Sequence, residues 1–284
     1  MSGDALVRSA EKKLSILFEK AGVDSSHGIL HARKVLENAE KALKSTNRTI
    51  SEERALGIRL AALLHDADDK KYFDVSKYKD TSFQNAQTIC REVGVSEKVI
   101  EEVLKMIGWV SCSKNGTHAA SLTTHEQQRD KNTLSTGNSV PDEAKKNPEM
   151  LWPRWSDRLE AAGEIGVARC YLYNKHCKAP LSSSNSPRPR TIDEVWKLAT
   201  PERFEAYQSN GGGSASMIDH YYDKLLSVSR PPPKIVQNSY LEKKALESTG
   251  PLIKVCLMFG RSGEVPVRFI EDMAKKHGLI SSAK

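Results

Sequence analysis

Apolar residues recur every three or four positions along most of this chain, and no strand-type alternation persists beyond four residues. That periodicity places side chains on one face of a helix and leaves no material for a sheet. Leu6, Val7, Ala10, Leu14, Leu17 and Phe18 define a first helix that Gly22 should stop. Leu30, Val35, Leu36, Ala39, Ala42 and Leu43 define a second over 26–44. A third follows Ser51, with Glu52 and Glu53 where the helix dipole favours acids, and runs through Leu60–Leu64. A fourth is predicted over 82–93, and a fifth starts at Ser96 with Ile100, Val103, Leu104 and Ile107 on one side. Further helices are predicted over 151–173, 191–198 (a Thr191/Glu194 capping box), 216–228, 240–247, 253–259 and 265–277. The fold class predicted is all-α.

Three segments interrupt the pattern. Residues 114–148 hold six hydrophobic residues in 35 and read as a low-complexity insertion. Residues 179–190 and 230–233 read as extended linkers, and Gly211–Gly213 as a turn. None separates two obviously independent cores, so one helical domain over 1–284 is the expectation, a length ample for a core. No run of 18 apolar residues exists, and the N-terminal MSGDALVRSAEKK lacks a signal-peptide core, so a cytoplasmic protein with no membrane partner is expected. Five cysteines without CxxC spacing suggest free thiols rather than disulfides or a zinc ribbon. The net charge of +7 suits anionic partners. No basic run is interleaved with aromatics, so nucleic acid is not an expected partner.

Chemistry concentrates in a few residues. His27 and His31 are four apart and share a helix face. His65-Asp66 directly follows the apolar Leu60–Leu64, where an ionised carboxylate is costly without compensation. A divalent cation would compensate, because imidazole nitrogen and carboxylate oxygen both suit Mn, Fe, Co, Ni or Zn. Asp157 recurs far downstream, in Trp155-Ser156-Asp157-Arg158-Leu159-Glu160. Asp69 lies three residues after Asp66; if the helix continues another turn it can orient or deprotonate a water, and otherwise it belongs to an exposed acidic turn. Cys170, His176 and Cys177 fit no zinc spacing, and His118 and His125 sit in the insertion. Trp152 and Trp155 could stack a base, but anchors for their helix are the simpler reading. The chain carries no Walker-type loop and no GxSxG elbow.

Ser26-His27-Gly28-Ile29-Leu30-His31-Ala32-Arg33-Lys34-Val35, Ala62-Leu63-Leu64-His65-Asp66 and Ser156-Asp157-Arg158-Leu159-Glu160-Ala161 together resemble the H…HD…D signature of the HD-domain superfamily of metal-dependent phosphohydrolases. The branch most similar is the YedJ/YpgQ type, which includes nucleotide pyrophosphohydrolases. Asp69, Lys71, Ser111-Cys112-Ser113-Lys114, Gly163-Glu164-Ile165-Gly166 and Asp219-His220-Tyr221-Tyr222 add to the likeness. The resemblance implies a helical HD fold with a cation, manganese in the first place and Mg2+, Co2+, Ni2+ or Fe2+ as alternatives, held by His31, His65, Asp66 and Asp157. The motif spacing departs slightly from the commoner pattern, so His27 stays in play, as an acid for the leaving group or a substrate donor. Asp69 would serve the attacking water. Lys71, Lys114, Arg154 and Arg158 are phosphate-contact candidates. The activity implied is cleavage of nucleoside triphosphates to monophosphate and pyrophosphate. The alternatives are nucleoside monophosphate phosphatase activity and a non-catalytic nucleotide-binding regulatory module. The partner implied is a small phosphate ester, with a homo-oligomer allowed.

Overall fold

The computed structural model describes residues 2–23, 28–70, 72–73, 83–110, 141–229 and 233–281. Among them there is no strand, and the fold is all-α, as the periodicity requires. No described helix is long and apolar enough to cross a membrane. The chain groups into two compact units. The first comprises the described residues of Met1–Ser111, Pro141–Asp157 and Val236–Leu241; the second those of Arg158–Ile235 and Glu242–Lys284.

The first unit is organised around one helix. α1 (Gly3–Ala21), α2 (Ile29–Ser45), α3 (Glu52–Leu64), α4 (Gln84–Val93) and α5 (Glu97–Val110) follow in order. The Ser2 hydroxyl caps α1 by accepting from the Ala5 amide, and Gly22 ends it in the left-handed conformation that glycine adopts at no steric cost. α3 starts on Ser51, whose hydroxyl accepts from the Arg54 amide at 3.2 Å. Its residues Ile58 and Leu60–Leu64 are all fully buried, so α3 is covered on every side. α1, α2 and α5 supply that cover. A Cβ on Gly57 would lie 3.2 Å from the Met106 Cε, which shows how closely α3 and α5 approach.

Residues 114–140 of the expected insertion lie outside the described residues, but its end is structured. α6 (Asp142–Lys146) and a 3-10 turn over Pro148–Leu151 bury Ala144, Met150 and Leu151 and lead into α7 (Trp152–Ala162). Trp152 and Trp155 are buried, and the Trp152 indole donates to the Val236 carbonyl at 3.1 Å, so they anchor their helix. Segment 236–241 is pinned to α2, with Asn238 Nδ2 donating to the Ala42 carbonyl and the Tyr240 hydroxyl to Asn38 Oδ1.

Two expectations about helix continuity are corrected. The helix predicted over 151–173 is broken at Gly163, whose extended backbone separates α7 from α8 (Glu164–His176). A Cβ on Gly166 would sit 2.3 Å from the Ala161 backbone, so the chain folds back tightly there. Conversely, the two helices predicted around Pro251 are one. α9 (Ile192–Leu198), α10 (Pro201–Ser209) and α11 (217–228, with a π-helical stretch at Tyr221–Leu225) precede α12 (Ser239–Ser262), which runs through the proline, and α13 (Val267–Lys276) ends the set. Leu241 and Ala245 before the proline and Leu252, Val255, Cys256 and Phe259 after it are all buried, and that burial outweighs one missing hydrogen bond. α10 was not predicted from the sequence; its marks are Thr200 as cap and Pro201 in the first turn.

The second unit packs Val167, Tyr171, Val195, Ile218, Tyr221, Leu225, Val255, Phe259 and Ile270 into one core. Residues 179–190 are non-helical as expected, yet they are fixed: the amides of Met217 and Ile218 donate to the carbonyls of Pro180 and Leu181, and Ser186 donates to Asp219.

Candidate metal centre

Four side chains of the first unit, from α2, the end of α3 and its following turn, and α7, meet at one point. His31 stands in the first turn of α2, where side chains lean back toward the helix start. His65 closes α3 and still has helical backbone angles, and Asp66 follows in the turn. Asp157 projects from α7. His31 Nε2 lies 3.3 Å from Asp157 Oδ1 and 3.7 Å from Asp66 Oδ2. His65 Nε2 lies 3.3 Å from Asp66 Oδ2 and 3.6 Å from Asp157 Oδ1. The two imidazoles meet edge to face with centroids 5.2 Å apart. Their side chains are 6% and 2% exposed, whereas the carboxylates keep 23% and 30%. The cluster therefore has a buried imidazole floor and an opening on the carboxylate side.

The donor set fits a divalent cation. His65 Nδ1 donates to the Ala62 carbonyl at 2.9 Å, which orients the ring and turns Nε2 toward the two carboxylates. That Nε2 is buried without a hydrogen-bond partner, a costly state unless something else uses it. The ligating atoms of His31, His65 and Asp66 lie within 4.8 Å of one another, the only such group among the described residues. Neighbouring ligands of a six-coordinate ion bound at about 2.1 Å stand roughly 3 Å apart, close to the separations seen. Burial opposes a charge on His65, but Asp66 and Asp157 outweigh it and hold its pKa well above the usual histidine range. Burial likewise would raise both carboxyl groups, yet the imidazoles of His31 and His65 keep Asp157 well below and Asp66 below the ordinary carboxylate range.

The remaining expected residues fare differently. His27, Lys71 and Lys114 lie outside the described residues. Asp69 is half-buried, but α3 does not continue to it: the chain turns at 65–68, and the Asp69 amide donates to the Asp66 carbonyl at 3.1 Å. Arg154 is buried with Nε donating to the Trp109 carbonyl, which ties α7 to the end of α5, and Arg158 is buried as well. Cys170 is half-buried, its desolvation pushes the thiol up to about 12, and it joins no metal cluster among the described residues.

Sequence reasoning missed Asp68. Its carboxylate accepts from the amides of Asn85 at 2.8 Å and Ala86 at 3.1 Å, capping α4 from outside. The missing signal was the absence of an acceptor at Phe83, the residue that precedes α4. It also missed Glu149, buried against Arg54 just ahead of the helix that bears Asp157.

No protein-family model matches the sequence. A Lactobacillus plantarum protein solved as a structural genomics target superposes with a TM-score of 0.56 at 18% identity, covering 92% of this chain and 96% of that one, a likeness of fold. Uncharacterized protein L803 of Acanthamoeba polyphaga mimivirus is 34% identical over 247 residues, 83% of this chain and 88% of its own length. At that identity and span, the chain belongs to the same family as the mimivirus protein.

Proposed function

We propose that this chain is a metal-dependent phosphohydrolase that cleaves nucleoside triphosphates to monophosphate and pyrophosphate, working in the cytoplasm. The observation that carries the reading is the convergence of His31, His65, Asp66 and Asp157, with the buried His65 Nε2 lacking a hydrogen-bond partner. With a cation in place of the imidazole proton, two neutral imidazoles and two carboxylates would sum to −2, which a divalent charge balances; manganese is the first choice, with Mg2+, Co2+, Ni2+ and Fe2+ as alternatives. When bound, such a cation supplies Lewis-acid polarisation of a phosphoryl oxygen and acidifies water.

The chain's own residues do the rest. The Ala62 carbonyl fixes the His65 tautomer, and the two half-exposed carboxylates leave an approach for an anionic ester. The helix turn that would have carried Asp69 to the site is not formed, so its role toward the attacking water rests on the family resemblance alone. By the family resemblance, His27 serves as proton donor to the leaving group or as a substrate hydrogen-bond donor, and Lys71 and Lys114 are the phosphate contacts. The test is turnover of a panel of NTPs and dNTPs by chelator-treated protein resupplied with Mn2+, Mg2+, Co2+ or Ni2+, with products resolved by phosphorus NMR. Metal-dependent release of pyrophosphate plus monophosphate supports the reading. Inorganic phosphate alone moves the chain to the phosphatase class. Metal binding without turnover of any nucleotide points instead to a regulatory module.

A further inference from the structure

We propose that Asp68 is a positioning residue that holds the His65–Asp66 turn in its metal-binding geometry by clamping it to the start of α4. The inference rests on the metal-centre reading above and concerns what keeps two of its four ligands in place.

α3 ends at Leu64, so His65 and Asp66 stand where helical hydrogen bonding has run out. On the near side the turn is tied back by the Ala67 amide to the Leu64 carbonyl at 3.0 Å and by His65 Nδ1 to the Ala62 carbonyl. On the far side three hydrogen bonds join it to α4. Asp68 Oδ1 accepts from the Asn85 amide, Asp68 Oδ2 accepts from the Ala86 amide, and Asn85 Nδ2 donates to the Ala67 carbonyl at 2.9 Å. These bonds span 17 or 18 residues of chain, so they are tertiary and not part of a local turn.

α4 needs this partner. Phe83 offers no side-chain acceptor, and its first turn contains no acidic residue. The Asp68 carboxylate therefore satisfies two amides that a helix leaves without internal partners, and sets a negative charge at the positive end of the helix. α4 is in turn a fixed object, since Ala86, Ile89, Cys90 and Val93 are buried and it packs on α1 and α5. Ala67, between the ligands and the clamp, is fully buried. A turn held at both ends keeps the Asp66 Oδ2 to His65 Nε2 separation at 3.3 Å; released at one end, it loses the preorganisation on which ligand geometry depends.

Mn2+ binding tests this directly. Wild type, Asp68→Asn, Asp68→Ala and His65→Ala are freed of metal and titrated with Mn2+ by electron paramagnetic resonance. Amide hydrogen exchange at Asn85 and Ala86 and far-UV circular dichroism are recorded alongside. Asp68→Ala is expected to weaken Mn2+ binding about 10- to 100-fold, the usual consequence of removing a group that supports a ligand. It should also speed exchange at both amides while helical content is retained. Asp68→Asn keeps one acceptor and should fall between Asp68→Ala and wild type in both readouts; it also carries the test if the alanine variant does not fold. Deprotected amides with unchanged Mn2+ affinity would reduce Asp68 to a helix cap and overturn the proposal. Equal weakening in the two variants would assign the effect to lost charge and overturn it too. Wild type indistinguishable from His65→Ala would remove the metal centre itself and this inference with it. Binding by wild type with no loss in Asp68→Ala removes the inference alone.

Discussion

Replacing Glu149 with alanine tests how the segment leading to Asp157 is held. The Arg54 guanidinium forks between two acids: Nε lies 3.0 Å from Glu102 Oε2, and Nη1 lies 3.4 Å from Glu149 Oε1. Arg48 adds a weaker contact to Glu149 Oε2 at 3.9 Å. The side chains of Glu149 and Arg54 are 8% and 20% exposed, so the pair is neither a surface ion pair nor a fully dry one. Exposed pairs are worth about 0.2–1 kcal/mol, and removing one partner of a buried pair costs about 3–5 kcal/mol. Because Arg54 retains Glu102, Glu149→Ala should cost about 2 kcal/mol, between those limits. Urea unfolding followed by tryptophan fluorescence reports on this unit, which contains Trp109, Trp152 and Trp155 of the four tryptophans. A double-mutant cycle of Glu149→Ala with Arg54→Ala should return a coupling energy of about 1–2 kcal/mol, and Glu149→Gln should recover part of the loss by still accepting from Arg54. Coupling below about 0.5 kcal/mol would refute the claim that this ion pair fastens the turn over Pro148–Leu151 to α3.

Other outcomes follow from single features. His65→Ala or Asp66→Ala should abolish metal-dependent turnover with helical content intact, and full activity in either variant, read in the nucleotide assay, would sink the metal assignment. Gly260→Ala would place a Cβ 1.8 Å from the Pro189 carbonyl oxygen, so it should cost about 3 kcal/mol or more by denaturant unfolding, whereas Gly250→Ala meets nothing within 4 Å and should be nearly neutral. Burial, aided by Lys224, pushes His220 down to about 3. The unfolded chain therefore takes up a proton below pH 6.5 that the folded one refuses. Stability from this residue is complete above pH 6.5 and falls by up to about 1.4 kcal/mol per unit as pH drops toward 3. Urea titrations at pH 7, 6 and 5 should show a shallower acid loss for His220→Gln, and parallel slopes would contradict the assignment.

Local physics made much of the chain legible. Apolar spacing placed α1, α2, α3 and α5 within a few residues of their observed bounds, because a helix face is a property of consecutive side chains. The caps at Ser51 and Thr191 are read from single residues, and both hydroxyls accept the expected amides. The all-apolar run Leu60–Leu64 marked α3 as a buried helix and His65-Asp66 as a charged pair emerging from it. Tertiary structure decided the rest. Whether Gly163 breaks a helix while Pro251 does not depends on what each flank is packed against, which spacing along the chain does not contain. The 3.3 Å meeting of Asp157 with His31 joins residues 126 positions apart, and the Asp68 clamp joins a turn to a helix whose own start lacks a cap. Helix periodicity is set over four residues, whereas a site is set by where packed helices bring their ends; only the second closes four side chains on one point.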